Sequence, residues 1–409
     1  MPLFSAKSPT DFAASGFHGS PRDRRRCPPR PYHRPTRNTP LNQLLGGVSR
    51  SWRVSLRNAP PHGRSSSDSH KPFILQLLEW SLRGVSQVIL ANNPVSGALI
   101  LCALAMDSPW QALLGTMGLL SSTLTAVIIG QDSAEITSGD HGFNGMLVAL
   151  LMGIFSSAGD WYGWLLLPAC LGGATCTFFH SGLARVFKPW DLPVSVFPFN
   201  TIILLYLACT GPTNPYFPHY DFTQPVAKES LNFTHLDTTQ LLCAVPLGVG
   251  QIYATKLLSS SLLILVAVFL FSPILCIHAL VGSAVGTLAG LSVVVHHTSL
   301  FTGLSGFNGA LGCMVVGGLC FRLSWTTHLF SIAAAFLSSY LDIALSNTLA
   351  KVGLPACSWG STLTITLMLV LSASHLSSYR IPCSQNGPPE HNLQLFTHGV
   401  VAEEDSTDV

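Results

Sequence analysis

Charge is what this sequence has least of. Asp, Glu, Lys and Arg make up 10% of its 409 residues, against about 25% in soluble globular chains. Mean hydropathy is +0.43. A chain this apolar cannot cover a globule of its length with water-soluble surface, which excludes most soluble-enzyme classes and any nucleic-acid partner read by a basic fold. Cysteine is present, 11 times, but in no C-x-x-C pair and no framework spacing. Neither a disulfide scaffold nor a zinc site is expected. Cys102, Cys170, Cys176, Cys209, Cys276, Cys313 and Cys320 lie in apolar runs, where the residue serves as a small hydrophobe. The start lacks the apolar stretch of about 7–15 residues that a secretory signal needs. There is no phosphate-binding loop and no G-x-S-x-G elbow. His296-His297 has no acidic neighbour, and adjacent residues on a helix face different ways. No enzyme activity, metal or cofactor is expected.

The charge that is present lies to one side. Of 21 Lys and Arg, 13 precede Pro72, including Arg24, Arg25 and Arg26, and residues 73–380 hold eight. Residues 1–72 are rich in Pro, Arg and Ser and cannot bury enough apolar surface to offset chain entropy, so a disordered tail is expected. The positive-inside rule holds it on the cytoplasmic side.

Apolar segments begin at Phe73. They run over 85–106, 112–130, 143–156, 163–180 and 200–211. A span needs roughly 20 apolar residues, and several of these are shorter. Short runs broken by Gly and Pro are tolerated in a bilayer only where they line a cavity or are buried in protein. Residues 73–211 thus form a first transmembrane repeat, 212–240 an extracellular loop, 241–380 a second repeat, and 381–409 a cytoplasmic tail. The loop carries the sequon Asn232-Phe233-Thr234. Five crossings from an inner N-terminus place it outside, which makes Asn232 the expected glycan site.

An internal repeat gives the architecture. At an offset of 164 residues, Gly84-Val85-x-Gln87 recurs as Gly248-Val249-x-Gln251 and Ser108-Pro109 as Ser272-Pro273. Gly142-Phe143-Asn144-Gly145-x-Leu147 recurs as Gly306-Phe307-Asn308-Gly309-x-Leu311. Leu192-Pro193 aligns with Leu354-Pro355 after a two-residue slip. An odd number of spans per half inserts the second half upside down, and inverted repeats carry a substrate path at their interface. The fold class is therefore an all-α polytopic membrane protein of two inverted repeats, each of about five spans plus a half-membrane helix.

The repeated residues suggest what passes. Gln87 and Gln251 are neutral amides, needing either an interhelical hydrogen bond or a place at two ends of one pore. Phe143 and Leu147, like Phe307 and Leu311, are four apart and share a helical face. They either pack a core or form two apolar slots. Asn144 and Asn308 are candidates to bond backbone at a helix start. The spacing Gly282-x3-Gly286-x3-Gly290 reads as close helix packing. No acidic residue is repeated that could couple a proton or sodium, so downhill diffusion of a small neutral polar solute is expected. Asp342 stands alone, with Phe178 at its repeat position.

At these residues the sequence resembles the facilitative urea transporters. The matching stretches are Ser86-Gln87-Val88, Asn92 to Leu99, Gly130-Gln131-Asp132, Gly142 to Gly145, Trp190 to Pro193, Pro198-Phe199-Asn200, Pro246 to Tyr253 and Gly306-Phe307-Asn308, within about residues 72–382. The resemblance implies passive, channel-like flux of urea across the plasma membrane. It also implies a homotrimer with one pore per subunit, lipid around it and both termini cytoplasmic. By position, Gln87 and Gln251 would line the outer and inner urea sites, with Phe143, Leu147, Phe307, Leu311 and Ile252 at the slots.

The family pattern is broken in places. The paired central Thr falls at Val196 and Ser358, so one hydroxyl is missing. The slot aromatic after the first Gln is Leu90. Asp-Asn-Pro-Trp of the second half is replaced by Lys256-Leu257-Leu258-Ser259, removing a helix breaker, and Gly360 stands where a Pro is expected. These departures frame an alternative: a diverged member conducting water, ammonia or small amides with weak or lost urea transport. A membrane scaffold acting through its tails is a third reading, which the repeat disfavours. Thr407-Asp408-Val409 resembles a C-terminal PDZ-domain ligand.

Overall fold

The computed structural model describes residues 72–211, 213–217, 238–293, 297–371, 379–383 and 387–390, all within one unit, Val48–Val409. The basic tail, His296, Asn232 with its sequon and the terminal Thr407-Asp408-Val409 lie outside them.

The described residues form two sets of seven helices. The first set is α1 (Phe73–Gln87), α2 (Pro94–Asp107), α3 (Pro109–Ile129), α4 (Ser133–Ser138), α5 (Gly142–Phe155), α6 (Leu166–Phe187) and α7 (Phe197–Thr210). The second is α8 (Thr238–Gly250), α9 (Leu258–Phe271), α10 (Pro273–Ser292), α11 (His297–Phe301), α12 (Phe307–Met314), α13 (Trp325–Leu349) and α14 (Trp359–Val370). Gln251–Tyr253 adds a 3-10 turn to α8, and Val315–Cys320 a π turn to α12. The starts of α2 and α9, of α3 and α10, and of α4 and α11 are each 164 residues apart. Local chemistry explains some of these matches. Ser108 and Ser272 are N-caps whose hydroxyls accept from Gln111 and Leu275 N–H, and a Pro at N1 follows each.

Helices α3, α10 and α13 are long and apolar enough to cross a hydrocarbon core of about 30 Å. The α8–α9 pair passes the same test as a broken span bent by 76°. The helices α2, α5, α7, α14 and α12 with its π turn are apolar but shorter. Shortness is tolerable where neighbours cover the helix: every residue of α5 from Gly142 to Leu150 is buried. Outward-facing Leu167, Leu171, Phe178, Val266, Phe269, Leu270, Leu367 and Val370 give the bundle an apolar exterior. This is a multi-pass membrane protein.

The segment expected as one span over 85–106 is broken. Val88–Asn93 is non-helical, Leu90 takes a left-handed φ of 64°, and the Asn93 side chain accepts from Val95 N–H to start α2. In the second half the missing Asn-Pro does not remove the break. Ala254 takes φ 56° at the position matching Leu90. The other half holds the residues that lead into α9: Asp107 Oδ1 accepts from Lys256 N (3.1 Å) and Leu257 N (3.0 Å). Asp107→Ala is expected to lower stability by about 1 kcal/mol, read as a lower unfolding temperature in detergent, while Asp107→Asn retains most of it.

The halves interleave. Helices α2 and α9 pack together, Ser96 Oγ donates to Ala267 O (2.7 Å), and Tyr253 Oη donates to Val85 O (2.7 Å). The expected close packing of Gly282, Gly286 and Gly290 is present: a Cβ on any of them would come within 3.0 Å of α12 or the turn before it.

The slip in the repeat falls earlier than the Leu-Pro pair suggests. Helices α6 and α13 end at Phe187 and Leu349, 162 residues apart. Thr177 meets Ser122 on α3 (2.9 Å between hydroxyls), and Ser339 lies against Gly286, the repeat partner of Ser122. At that offset the counterpart of Asp342 is His180 and not Phe178.

Candidate functional site

Gln87 closes α1. Its Nε2 donates to Asp140 Oδ1 (2.9 Å), and Ser138 Oγ donates to Asp140 Oδ2 (2.7 Å). Gln251 Nε2 donates to the backbone oxygen of Thr302 (3.0 Å). Each repeated amide is thus tied to the turn that precedes α5 or α12, one to a carboxylate and one to a carbonyl. Of the two readings of these amides, a hydrogen bond is present at both, made to a turn and not to a neighbouring helix. The other end of Gln87 is not used: Oε1 is buried and has no partner among the described residues. Around that turn, burial raises the Asp140 carboxyl above its ordinary pKa, against the lowering by Ser138 and Gln87. The His141 ring holds the Glu135 carboxyl below its own.

The apolar candidates share one large core. Phe143, Leu147, Ile252 and Leu311 are buried in the main apolar cluster, and Leu90, Val196 and Phe307 pack half-buried against it. Helix α5 touches α1 and α7, α12 touches the Gln251–Tyr253 turn and α14, and α7 touches α14. In each half, then, the helix bearing the Phe-Leu pair packs on the segment bearing the Gln.

Val196 and Ser358 open α7 and α14 with matched backbones, φ/ψ −97°/17° and −97°/19°. The residues before them, Ser195 and Cys357, both take φ 50°. Asparagines hold these corners. Asn144 Nδ2 donates to Ser195 O (3.2 Å) and its Oδ1 accepts from Phe199 N (3.1 Å). Asn308 does the same with Cys357 O (3.1 Å) and Ser361 N (3.0 Å). The helix-start role read for both from sequence is present, at the starts of α7 and α14. Asn200, which sequence reasoning gave no role, joins the halves: Oδ1 accepts from Ser358 N and Nδ2 donates to Thr362 Oγ1, both at 3.0 Å. Its repeat partner is Thr362 itself, so no second copy of the residue marked it. Gly360 also gains a reason. A Cβ there would lie 2.5 Å from Ser338 O and 2.8 Å from Asp342 Cβ, so its lack of a side chain lets α14 press against α13.

Comparison with known proteins bears on this arrangement. A family model described as Urea transporter matches residues 78–373. The chain belongs to the urea transporter family. A protein named Urea transporter 1 from Rattus norvegicus is 40% identical over 326 residues, covering 80% of this chain and 85% of that relative. Its namesakes from Ovis aries and Capra hircus are each 41% identical over the same shares. The urea transporter match takes in every helix from α2 to α14 and most of α1, and so all ten candidate positions.

Proposed function

We propose that this urea transporter conducts urea passively, down its gradient, across the plasma membrane. The path runs at the junction of the two repeats, which are inverted relative to one another. Each subunit of a homotrimer carries one path, with both termini cytoplasmic and Asn232 glycosylated outside.

The observation that carries the reading is the free Oε1 of Gln87, an acceptor held in place through its own amide nitrogen. It lies on the helix that packs against the one bearing Phe143 and Leu147. Urea is flat and rich in N–H donors. Losing water costs it several kcal/mol unless acceptors replace that water. A pre-oriented amide oxygen beside aromatic and aliphatic walls meets both needs. No repeated carboxylate is available to couple an ion, so flux follows the solute gradient alone.

The test is uptake into proteoliposomes, with urea, thiourea, glycerol and water measured in parallel. Urea flux well above empty vesicles and indifferent to voltage and proton gradient is expected. Gln87→Ala removes an acceptor worth about 0.5–1.5 kcal/mol at the mouth and should cut urea flux roughly 2- to 10-fold, with Gln251→Ala acting in the same direction. Unaltered flux in both variants would sink the assignment of the mouths.

A further inference from the structure

The structure brings together three groups that no short motif contains. Glu135 lies on α4, His141 in the turn before α5, and His180 on α6. Their ligand atoms all lie within 4.8 Å of one another, the only such group among the described residues. His141 Nε2 is 3.2 Å from Glu135 Oε2. The two imidazoles meet edge to face with centroids 4.6 Å apart. Sequence reading expects no metal here, because these positions are separated by 6 and 39 residues and no spacing rule joins them.

The hydrogen bonding of the histidines is the second observation. His141 is 1% exposed and His180 7%. Among the described residues, Nδ1 of His141 and Nδ1 of His180 have no partner, and Nε2 of His141 faces only the Glu135 carboxylate. Buried imidazole nitrogens left without partners cost about 1–3 kcal/mol each. A cation among them supplies what is missing. The other histidine contact, His278 Nε2 to His328 Nδ1 at 3.1 Å, has no carboxylate beside it.

We propose that Glu135, His141 and His180 form a binding site for a divalent transition metal ion of the zinc type. Two imidazole nitrogens and one carboxylate oxygen are a three-ligand zinc set with a fourth position open. Zinc takes such ligands at about 2.0–2.2 Å, which puts neighbouring donors on a tetrahedral ion roughly 3.4 Å apart. The His141–Glu135 separation already matches this, and small rotations of the side chains bring His180 in. Asp140 directly precedes His141 and accepts from Gln87, so an ion here would brace the turn that presents Asp140 to the mouth.

The test uses the purified full-length protein and needs no transport assay, so its outcome is independent of the urea reading. Cobalt(II) is titrated as a spectroscopic stand-in for zinc. The expected result is a visible absorption band of four-coordinate cobalt, saturating at one ion per chain and lost on adding zinc. Glu135→Gln keeps the shape of the least buried ligand and is expected to weaken binding at least about tenfold. His180→Ala, checked for an unchanged elution volume, should abolish the band. Histidines of the N-terminal tail, such as His18 and His33, are common to all the proteins and cancel in the comparison. Absence of the band in the wild-type protein, or equal affinity in wild type and Glu135→Gln, overturns the proposal.

Discussion

Val196→Thr is expected to raise urea permeability about 5- to 150-fold, the equivalent of roughly 1–3 kcal/mol of barrier. The corner that Val196 occupies explains why a single hydroxyl can matter so much. Val196 and Ser358 share one backbone conformation at the starts of α7 and α14, so their side chains leave matched positions. An N-cap hydroxyl ordinarily accepts from the second or third helical N–H. Here the second residue of α7 is Pro198, which has none, and the third, Phe199, already donates to Asn144 Oδ1. A threonine hydroxyl at position 196 therefore finds neither cap donor and remains available to a solute on the proposed path. At Ser358 the third donor, Ser361 N–H, is likewise committed to Asn308; the second, Gly360, keeps its N–H, yet the Ser358 side chain makes no cap bond. Flux per reconstituted protein, measured by stopped-flow light scattering, is the readout. A variant that inserts equally well and conducts no faster than wild type would falsify the view that the missing hydroxyl limits the rate.

Gly139→Ala is expected to abolish folding, whereas Gly130→Ala costs only about 1–2 kcal/mol. Both glycines take left-handed backbone, φ 84° and 71°, and both substitutions incur the steric cost of a Cβ there. They differ in surroundings. A Cβ at Gly130 has nothing within 4 Å, while one at Gly139 would lie 2.6 Å from Gly84 Cα and closer still to its amide nitrogen. Backbone cannot yield as a side-chain tip can, so α1 and the α4–α5 turn would have to part, taking Gln87 away from Asp140. Gly303 repeats the arrangement against Gly248, its Cβ 2.8 Å from Gly248 Cα. Elution profile and unfolding temperature in detergent distinguish the two variants. Matching behaviour in both would mean that the close backbone approach carries no weight.

Much of this was open to inspection in the residues. Ser108-Pro109 with Ser272-Pro273, and the two Gly-Phe-Asn-Gly runs, are paired signals whose chemistry is local: a cap, a proline, a small residue at a crossing. They fix where helices start, and the structure starts them there. The break at Val88–Asn93 was harder. Val88, Ile89, Leu90 and Ala91 continue the hydropathy of their neighbours, and nothing about a leucine announces φ 64°. The second break is hidden for a related reason. Lys256–Ser259 holds no breaker, and the group that replaces it, Asp107, is some 150 residues away. Periodicity and motif see along the chain, while this tie is made across it. The same limit hid Asn200, whose partners lie in the other repeat, and the Glu135–His141–His180 cluster, assembled from three elements.

The two Gln residues repeat in sequence, but their partners do not. One amide is pinned by the carboxylate of Asp140, the other by the carbonyl of Thr302. On the proposed path the two entrances therefore do not offer the solute the same doorway. For a passive path, detailed balance forbids this inequality from favouring net movement in either direction when concentrations are equal. It can appear only in the concentration at which each entrance half-saturates, matched by a proportional change in the maximal rate from that side. On that proposal the duplication yields a conduit whose two ends differ chemically and which is yet thermodynamically without a preferred direction.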